Sequence, residues 1–280
     1  MNIFTYITPV AFNIGFISIY WYGISYVIGI LLSFFLMQKI EKKYIIAKLK
    51  KSHFDDLMTY IILGILIGGR VGYILFYCPL IILGNFWEIF KIWHGGMSFH
   101  GGLVGVMIAV YIFCFQNHKN FISIMDLISC ATPIGLFCGR IANFINAELY
   151  GRETSVPWAI VFPDIDSIPR HPSQLYEAFF EGIMLLALML LALKTKYIFI
   201  IKQQVQKNRL FHLRGFLSGV FLLFYSIFRM SAEFFREPDA QIGYIYNFLT
   251  LGQVLCIPML LLGIYLILNS IKDVRGNCFL

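Results

Sequence analysis

The block GRIANFINAELYG, residues 139–151, gathers the polar side chains that could do chemistry in an otherwise apolar chain. It follows directly on an apolar run and contains Arg140, Asn143, Asn146 and Glu148. A charged side chain inside a bilayer is costly, so it needs a partner or a function. Because a guanidinium group matches phosphate oxygens in a bidentate way, the block predicts an anion site. The anion available at that depth in every bilayer is a phospholipid head group.

A second set of charges lies near the end of a later apolar segment. At about 100° per residue, Tyr225, Arg229, Glu233 and Arg236 fall on one narrow helical face. An internal salt bridge that only adjusts packing explains this stripe as well as a binding site does, and both interpretations stay open. With Arg140, the stripe predicts two arginines at one face of the membrane.

Among the histidines, His100 is the candidate general base. It stands at the start of an apolar segment between Phe99 and two glycines, and an imidazole near neutrality can take up a proton. His171 precedes a proline and is expected to cap a helix or to form a hydrogen bond. No set of His, Cys, Asp and Glu has metal-ligand spacing, so no metal site is expected. The six cysteines are scattered and predicted to be small core residues.

The elements that position these residues are predicted to be transmembrane helices. The chain has 280 residues, of which 59% are hydrophobic and 13% charged, against about 25% charged in soluble domains. This composition predicts an all-α polytopic membrane protein with residues 1–280 in a single domain. Apolar windows predict seven spans, at about 17–38, 57–77, 99–116, 121–147, 174–193, 215–235 and 248–270. The segment at about 79–98 is expected to be interfacial or re-entrant, and outer loops are expected at about 148–173 and 236–247.

The basic residues orient these spans. Fifteen of the 22 Lys and Arg residues fall in loops on one side of the predicted membrane. By the positive-inside rule that side is cytoplasmic, so the N terminus is predicted outside and the C terminus inside. The net charge of +7 then reflects topology and anionic lipid, with no need for nucleic acid. With this orientation Tyr22, His100 and the charged segments all converge on the outer half of the membrane.

These segments resemble the bacterial prolipoprotein diacylglyceryl transferases. GRIANFINAELYG is similar to the family signature GRxGNFxNxExxG, with Ala142 in place of its second glycine. Further matches, which together extend over about residues 20–260, are WYG at 21–23, GGRVGY at 68–73, MSFHGG at 97–102, HPSQLYE at 171–177 and FRMSAEFFREPD at 228–239.

The resemblance implies a reaction and its partners. Such an enzyme moves the diacylglyceryl group of phosphatidylglycerol to the thiol of the lipobox cysteine of a preprolipoprotein. A thioether and glycerol phosphate are the products. The resemblance also implies a location in the bacterial inner membrane, no cofactor, and a monomer.

The resemblance assigns roles by position. Arg140 and Arg229 would hold the phosphate, and His100 would help to deprotonate the thiol, with Tyr22 or a carboxylate as alternatives. Glu148 and Glu233 would orient the arginines. The other residues expected to contact substrate are Asn143, Asn146, Gly151, His171, Tyr176, Glu177, Tyr225 and Arg236.

Two other classes of protein compete with this interpretation. A transporter would place its polar site near the midplane between internal repeats, whereas these charges lie toward one face. A structural subunit would use the charges only to pair helices, and it predicts that neutral replacements of Arg140 or Arg229 are harmless.

Overall fold

The computed structural model describes residues 9–15, 17–77, 96–163, 165–207, 213–238, 244–245 and 249–276. Helices dominate this part of the chain, as predicted, and its short strands lie before the first helix and in connections between helices. The contacts divide it into two compact units, one within residues 40–124 and one within residues 1–39 and 125–280. The predicted interfacial or re-entrant segment at 79–98 lies almost entirely outside the described residues.

The elements follow one another in a simple order. They are β1 (Val10–Ile14), β2 (Ile17–Tyr20), α1 (Trp21–Tyr44), α2 (Lys51–Tyr77), α3 (Phe99–Gln116), α4 (Phe121–Ile145), β3 (Ile160–Val161), β4 (Pro169–Arg170), α5 (Ser173–Glu177), a π-helix (Ala178–Met184), α6 (Leu185–Lys207), α7 (Phe216–Ala232), β5 (Tyr244–Ile245), β6 (Leu249–Thr250) and α8 (Leu251–Gly276). The strands pair antiparallel as β1 with β2, β3 with β4 and β5 with β6.

Several described helices are long and apolar enough to cross a bilayer, which makes the chain a multi-pass membrane protein. Five segments qualify: Trp21–Tyr44, Lys51–Leu75, Phe121–Ile145, Ser173–Ile201 and Leu251–Lys272. The third and sixth predicted spans fall on shorter apolar helices, Gly101–Gln116 and Phe216–Ala232. A helix of 17 residues is about 26 Å long, slightly less than the hydrocarbon core. The number of seven spans therefore stays a prediction.

In the smaller unit, α2 and α3 touch through their backbones. A Cβ atom built on Gly68 would lie 2.4 Å from the carbonyl oxygen of Gly101, and one on Gly105 would lie 2.2 Å from that of Gly64. Such close approach is the usual way in which membrane helices associate. The glycines of the HGG motif and its surroundings thus have a packing role in this pair.

In the larger unit, α4 is the helix against which others pack. Gly29 of α1 faces it, with its built Cβ atom 3.3 Å from the Cβ of Cys138, and Ser33 Oγ donates to the carbonyl of Ala131 at 3.2 Å. The helix ends at Ile145, two residues before the end of the span predicted at about 121–147.

A buried ion pair lies where α7 begins. The carboxylate of Asp126, in α4, accepts from Lys196 Nζ at 2.9 Å and from the backbone N–H groups of Gly215 and Ser218 at 3.1 and 2.8 Å. Ser218 Oγ also donates to it at 2.9 Å. Asp126 therefore caps α7 from another helix, since the first N–H groups of a helix have no partner within it. We name these four residues the Asp126 cluster.

Candidate active site

Three helical segments of the larger unit bring arginines and glutamates together. Arg140 lies near the end of α4, Arg229 lies near the end of α7, and Glu177 ends α5. Glu181 lies in the π-helix. Six residues form what we call the arginine–glutamate cluster: Arg140, Arg229, Arg236, Glu177, Glu181 and Glu233.

The helical segment brings Glu177 and Glu181 into the same cluster. The two residues are four apart, so they lie on nearly one face of the segment. Its close approach to α4 depends on Gly182, whose built Cβ atom would lie 2.6 Å from the Cβ of Phe137. Glu177 and Glu181 are thereby held beside the end of α4.

Glu177 lies between all three arginines. Its Oε2 atom is 2.9 Å from Arg140 Nη1, and its Oε1 atom accepts a hydrogen bond from Arg229 Nη1. The same Oε1 atom is 3.8 Å from Arg236 Nη1. One carboxylate thus joins arginines from two different helices and from the loop that follows α7.

Glu181 joins two of these arginines. Its Oε2 atom accepts from Arg140 at both Nε and Nη2, at 3.3 and 3.1 Å. Its Oε1 atom is 3.6 Å from Arg229 Nη1. That oxygen has no hydrogen-bond partner among the described residues, although it is buried. Glu181 is therefore held firmly at one oxygen and only loosely at the other.

Glu233 completes the cluster as the sequence predicted. It accepts from Arg229 Nη2 at the end of α7 and lies 3.9 Å from Arg236 Nη1. The arginine side chains are at most 15% exposed and the glutamate side chains at most 5%. Within the described chain, three positive and three negative charges balance in a site from which water is largely excluded.

Beside this cluster lies a group of amides around Glu148. Its carboxylate accepts from Asn143 Nδ2 at 3.0 Å and from Asn146 Nδ2 at 3.4 Å. Its backbone carbonyl accepts from Gln174 Nε2 at 2.6 Å. Glu148 was expected to orient an arginine, and the structure corrects this expectation because its described partners are amides. Glu177 and Glu181 orient the arginines in its place.

Two tyrosines flank the charged residues. Tyr22 opens α1 and shares a hydrogen bond with Tyr26 between their hydroxyl oxygens, 3.2 Å apart. It also lies within electrostatic range of Arg140 and Glu148. Tyr225 stacks on Phe221, with ring centroids 5.7 Å apart. Tyr22 and Tyr225 therefore accompany the arginines, as the sequence predicted.

His171 belongs to a chain of hydrogen bonds at the rim. Trp158 Nε1 donates to the hydroxyl oxygen of Tyr176 at 2.7 Å, and that oxygen is 3.1 Å from His171 Nδ1. The hydroxyl and the imidazole thus share a hydrogen bond, whose direction depends on which ring nitrogen of the neutral imidazole carries the proton. Burial lowers the pKa of His171, which favours this neutral form. The predicted hydrogen-bonding role of His171 is confirmed.

Gly151 lies where three segments of backbone meet. It forms an isolated bridge with Arg236, and its N–H donates to the carbonyl of His171 at 3.0 Å. A Cβ atom there would lie 2.4 Å from that carbonyl oxygen and 2.7 Å from the carbonyl oxygen of Phe235. Gly151 was predicted to contact substrate, and the structure gives it a packing role next to the loop that carries Arg236.

His100 lies in the first turn of α3, in the smaller unit. Its role as a base stays a prediction. No group of three His, Cys, Asp or Glu residues that could hold a metal ion occurs among the residues described.

Glu181 and Gln174 were not among the predicted site residues. Gln174 lies within HPSQLYE and Glu181 lies four residues beyond its last residue, Glu177, and both side chains are fully buried. A signal for Glu181 was present, because an acidic residue inside an apolar stretch needs a partner. Gln174 is uncharged and gave no comparable signal.

These features define a class of protein, a multi-pass helical membrane protein that gathers buried arginines and glutamates at the ends of its helices. A family model described as prolipoprotein diacylglyceryl transferase matches residues 9–269. The chain belongs to this family, and the resemblance that its motifs suggested is confirmed.

Relatives named phosphatidylglycerol–prolipoprotein diacylglyceryl transferase are similar over nearly their whole length. The protein of Rickettsia bellii (strain OSU 85-389) is 49% identical over 267 residues, which cover 95% of this chain and 97% of the relative. That of Rickettsia typhi (strain ATCC VR-144 / Wilmington) is 50% identical over 266 residues, which cover 94% and 98%. That of Rickettsia felis (strain ATCC VR-1525 / URRWXCal2) is 48% identical over 267 residues, which cover 95% and 98%. The chain is a transferase.

Proposed function

We propose that this chain transfers the sn-1,2-diacylglyceryl group of phosphatidylglycerol to the lipobox cysteine of a preprolipoprotein, the first step of bacterial lipoprotein maturation. The cysteine sulfur forms a bond to the terminal glyceryl carbon of the diacylglyceryl group, and the bond from that carbon to the phosphate oxygen breaks. The oxygen leaves with glycerol phosphate, and the thiol proton passes to a base. Charge on the phosphate grows from one to two negative units during the step, so cationic groups fixed at the phosphate accelerate it.

The arginine–glutamate cluster carries this proposal. Arg140 and Arg229 are fixed by buried carboxylates, and they approach the same two acids from different helices. Guanidinium groups held in this way are oriented before the phosphate arrives, so little reorganisation is needed as charge develops. Arg236 adds a third cation beside Glu177.

The residues beside the arginines bind the head group, and a separate residue acts as the base. Asn143, Asn146 and Glu148 form an amide and carboxylate group beside the arginines that suits the hydroxyls of a glycerol head group. His100 serves as the base for the thiol, and Tyr22 is the alternative within electrostatic range of Arg140. Cationic surroundings also lower the pKa of a thiol, so a weaker base is sufficient to remove its proton.

The membrane arrangement belongs to the same proposal. Seven spans, with the N terminus outside and the C terminus in the cytoplasm, put the cluster toward the outer face of the inner membrane, where secreted preproteins arrive. The lysine-rich and arginine-rich loops of the sequence support this orientation. Phosphatidylglycerol, the preprolipoprotein and the bilayer are the partners. The protein acts as a monomer without a cofactor.

The test uses purified protein in phosphatidylglycerol vesicles with a synthetic lipobox peptide, followed by mass spectrometry. We expect the peptide to gain one diacylglyceryl mass and a peptide with Ser in place of Cys to gain none. Arg140→Lys keeps the positive charge for Glu177 and Glu181 but loses the planar fork. It should lower the transfer rate by about 100-fold or more.

Arg214→Lys is the matched control, because Arg214 is an exposed arginine next to the start of α7, far along that helix from Arg229. It should transfer at the wild-type rate. His100→Gln tests the base, and full activity in that variant would move the role to Tyr22 or a carboxylate. A well-folded wild type that adds no lipid would contradict the proposed function.

A further inference from the structure

The arginine–glutamate cluster is already neutral before any substrate binds. Its three arginines face three glutamates within the described residues, and each arginine lies within 4 Å of at least one of the glutamates. A phosphodiester carries one negative charge. If it entered this site with nothing else changed, the site would hold one uncompensated negative charge away from water.

An uncompensated buried charge is strongly unfavourable. One way to avoid it is to move a glutamate out to solvent, but Glu177 and Glu181 have no exposed side-chain area and extend from a tightly packed helical segment. The other way is to protonate one carboxylate as the phosphate binds. The proton supplies the one positive charge that balances the incoming phosphodiester. A protonated carboxyl group also holds the arginines less strongly, so they can turn toward the phosphate.

The contacts of the three glutamates distinguish which one takes the proton. Glu177 has an arginine nitrogen close to each oxygen, with Arg140 Nη1 2.9 Å from the Oε2 atom that lacks a hydrogen bond, and Glu233 accepts from Arg229 and is the most exposed of the three at 5%. Glu181 has its partners at Oε2, whereas Oε1 has no hydrogen bond in the described chain and lies 3.6 Å from Arg229. A carboxylate oxygen with no cation close to it is the easier one to protonate.

The charged and titratable groups described around Glu181 lie on α4, α7, α8 and its own helical segment. Arg140 faces it from α4, and Arg229 and Tyr225 face it from α7. Glu177 is on its own helical segment, and Cys256 of α8 is within electrostatic range. The two arginines favour the carboxylate form in the free protein. A phosphodiester that engages both arginines withdraws this stabilisation and adds a like charge, so it favours the protonated form.

We propose that binding of the phosphatidylglycerol phosphodiester is coupled to uptake of one proton, and that Glu181 is the residue that takes it. The inference rests on the proposed function, because it requires a lipid phosphodiester at Arg140 and Arg229. The proton comes from solvent and forms an O–H bond at Glu181 Oε1, so the charge of the site stays at zero. The acid O–H can then donate a hydrogen bond to a phosphate oxygen. Glu181 is thus a binding residue that is negatively charged in the free protein and neutral when the phosphodiester is bound.

The first experiment measures the proton directly on the wild-type protein. Short-chain phosphatidylglycerol is titrated calorimetrically into the full chain in neutral detergent, in two buffers of different ionisation enthalpy at the same pH. The coupling predicts that the apparent enthalpies differ by the difference of the buffer enthalpies, which corresponds to about one proton taken up per lipid. Equal enthalpies at every pH between about 6 and 9 would overturn the inference.

The second experiment compares pH profiles of affinity. For the wild type, the apparent Kd should rise by up to about tenfold per pH unit on the alkaline side, since a proton must be taken up. Glu181→Gln keeps the shape and carries no charge to neutralise, so its Kd should be nearly independent of pH and lower than the wild-type value at alkaline pH. A residue that only holds the arginines in place would give weaker binding in this variant, with the wild-type pH profile.

Glu237→Gln is the matched control. Glu237 lies just beyond Arg236, is largely exposed, and contacts Arg170 at 3.6 Å outside the cluster. This variant should keep the wild-type pH profile. Transfer to a lipobox peptide is measured on the same preparations. If the wild type transfers lipid but takes up no proton, only the inference about Glu181 fails, whereas absence of both transfer and lipid binding removes the proposed function as well.

Discussion

Helix α7 has a group of buried charges at each end, and the two groups differ in how completely they are satisfied. In the Asp126 cluster, one carboxylate meets one ammonium group, two backbone N–H groups and a hydroxyl. In the arginine–glutamate cluster, Glu177 Oε2 and Glu181 Oε1 lack hydrogen bonds, and Asn146 Oδ1 and Gln174 Oε1 nearby lack them too, within the described chain. Burial of charge is unfavourable in both clusters. Among the described residues, only the arginine–glutamate cluster and its surroundings contain buried acceptor atoms without a hydrogen bond.

The difference separates a structural cluster from a functional one. A cluster that serves the fold is expected to satisfy its polar atoms, because each unpaired atom destabilises the native state. Unused acceptors in a buried site indicate that another group completes it. The backbone shows the same contrast: the left-handed residue in the Asp126 cluster is Gly215 at φ +82°, whereas Ala147 and Leu149 beside the arginines have φ of +55° and +57°. Strained residues of this kind occur most often at functional sites.

The largest effect that would test this contrast is expected for Asp126→Ala. The substitution leaves Lys196 without its acidic partner and uncaps α7, so we expect a loss of about 3–5 kcal/mol of stability. Transfer per folded molecule should stay near the wild-type value, because the arginine–glutamate cluster is at the other end of the helix. Thermal unfolding in detergent and the peptide transfer assay measure the two quantities.

A double variant sharpens this result. Asp126→Leu with Lys196→Met removes both charges together, and it should recover much of the lost stability because an apolar pair needs no compensation. Loss of transfer at unchanged stability in Asp126→Ala would contradict the structural role and with it the comparison.

A smaller effect is expected for Gly151→Ala, behind the arginine–glutamate cluster. The new methyl group would collide with the carbonyl oxygens of His171 and Phe235, so the loop carrying Arg236 must shift. We expect a loss of about 1–3 kcal/mol of stability together with slower transfer. Gly135→Ala is the control, because nothing lies within 4 Å of a Cβ atom there. Normal stability with impaired transfer in Gly151→Ala would instead indicate direct contact between Gly151 and substrate.

The smallest effect is expected for Ala147→Gly. Relief of the left-handed conformation is worth about 1–2 kcal/mol and is partly offset by the greater freedom of glycine in the unfolded chain, about 0.5–1 kcal/mol. We therefore expect a gain in stability of about 0–1.5 kcal/mol, measured as a rise in Tm. Gly215→Ala is the opposite change at φ +82° and should lower the Tm. A lower Tm for Ala147→Gly would show that no strain is stored beside the arginines.

Much of the site could be predicted because charges are rare in the spans. Arg140, Arg229 and Glu233 stood out against an apolar background, and helical periodicity placed the last two on one face. Their observed pairing follows that periodicity. The helical, multi-pass fold followed from the same composition.

The parts that could not be predicted depend on tertiary contacts. Glu148 was assigned to the arginines because it shares their motif, but the chain turns at Ala147 and brings the carboxylate to Asn143 and Asn146. The contact of Trp158 with Tyr176 joins residues of two separate segments, and no periodicity relates them. Glu181 stood out as an acidic residue in an apolar stretch, but its partners Arg140 and Arg229 lie on two other helices and only the tertiary packing identifies them.

That π-helix also relates the two charged clusters to each other. Relative to a continuous α-helix, the segment Ala178–Met184 accommodates roughly one extra residue, which rotates the rest of the helical segment by about 100°. Lys196 lies beyond the extra residue and Glu177 before it, so one helical segment reaches the Asp126 cluster with one side chain and the arginines with another. These seven residues therefore determine the direction in which Lys196 points relative to Glu177, although the two charged clusters do not touch each other. Deletion of a single residue here would turn one of the two charged side chains away from its partners. The protein should therefore tolerate a change in the length of this apolar stretch less well than an apolar substitution within it.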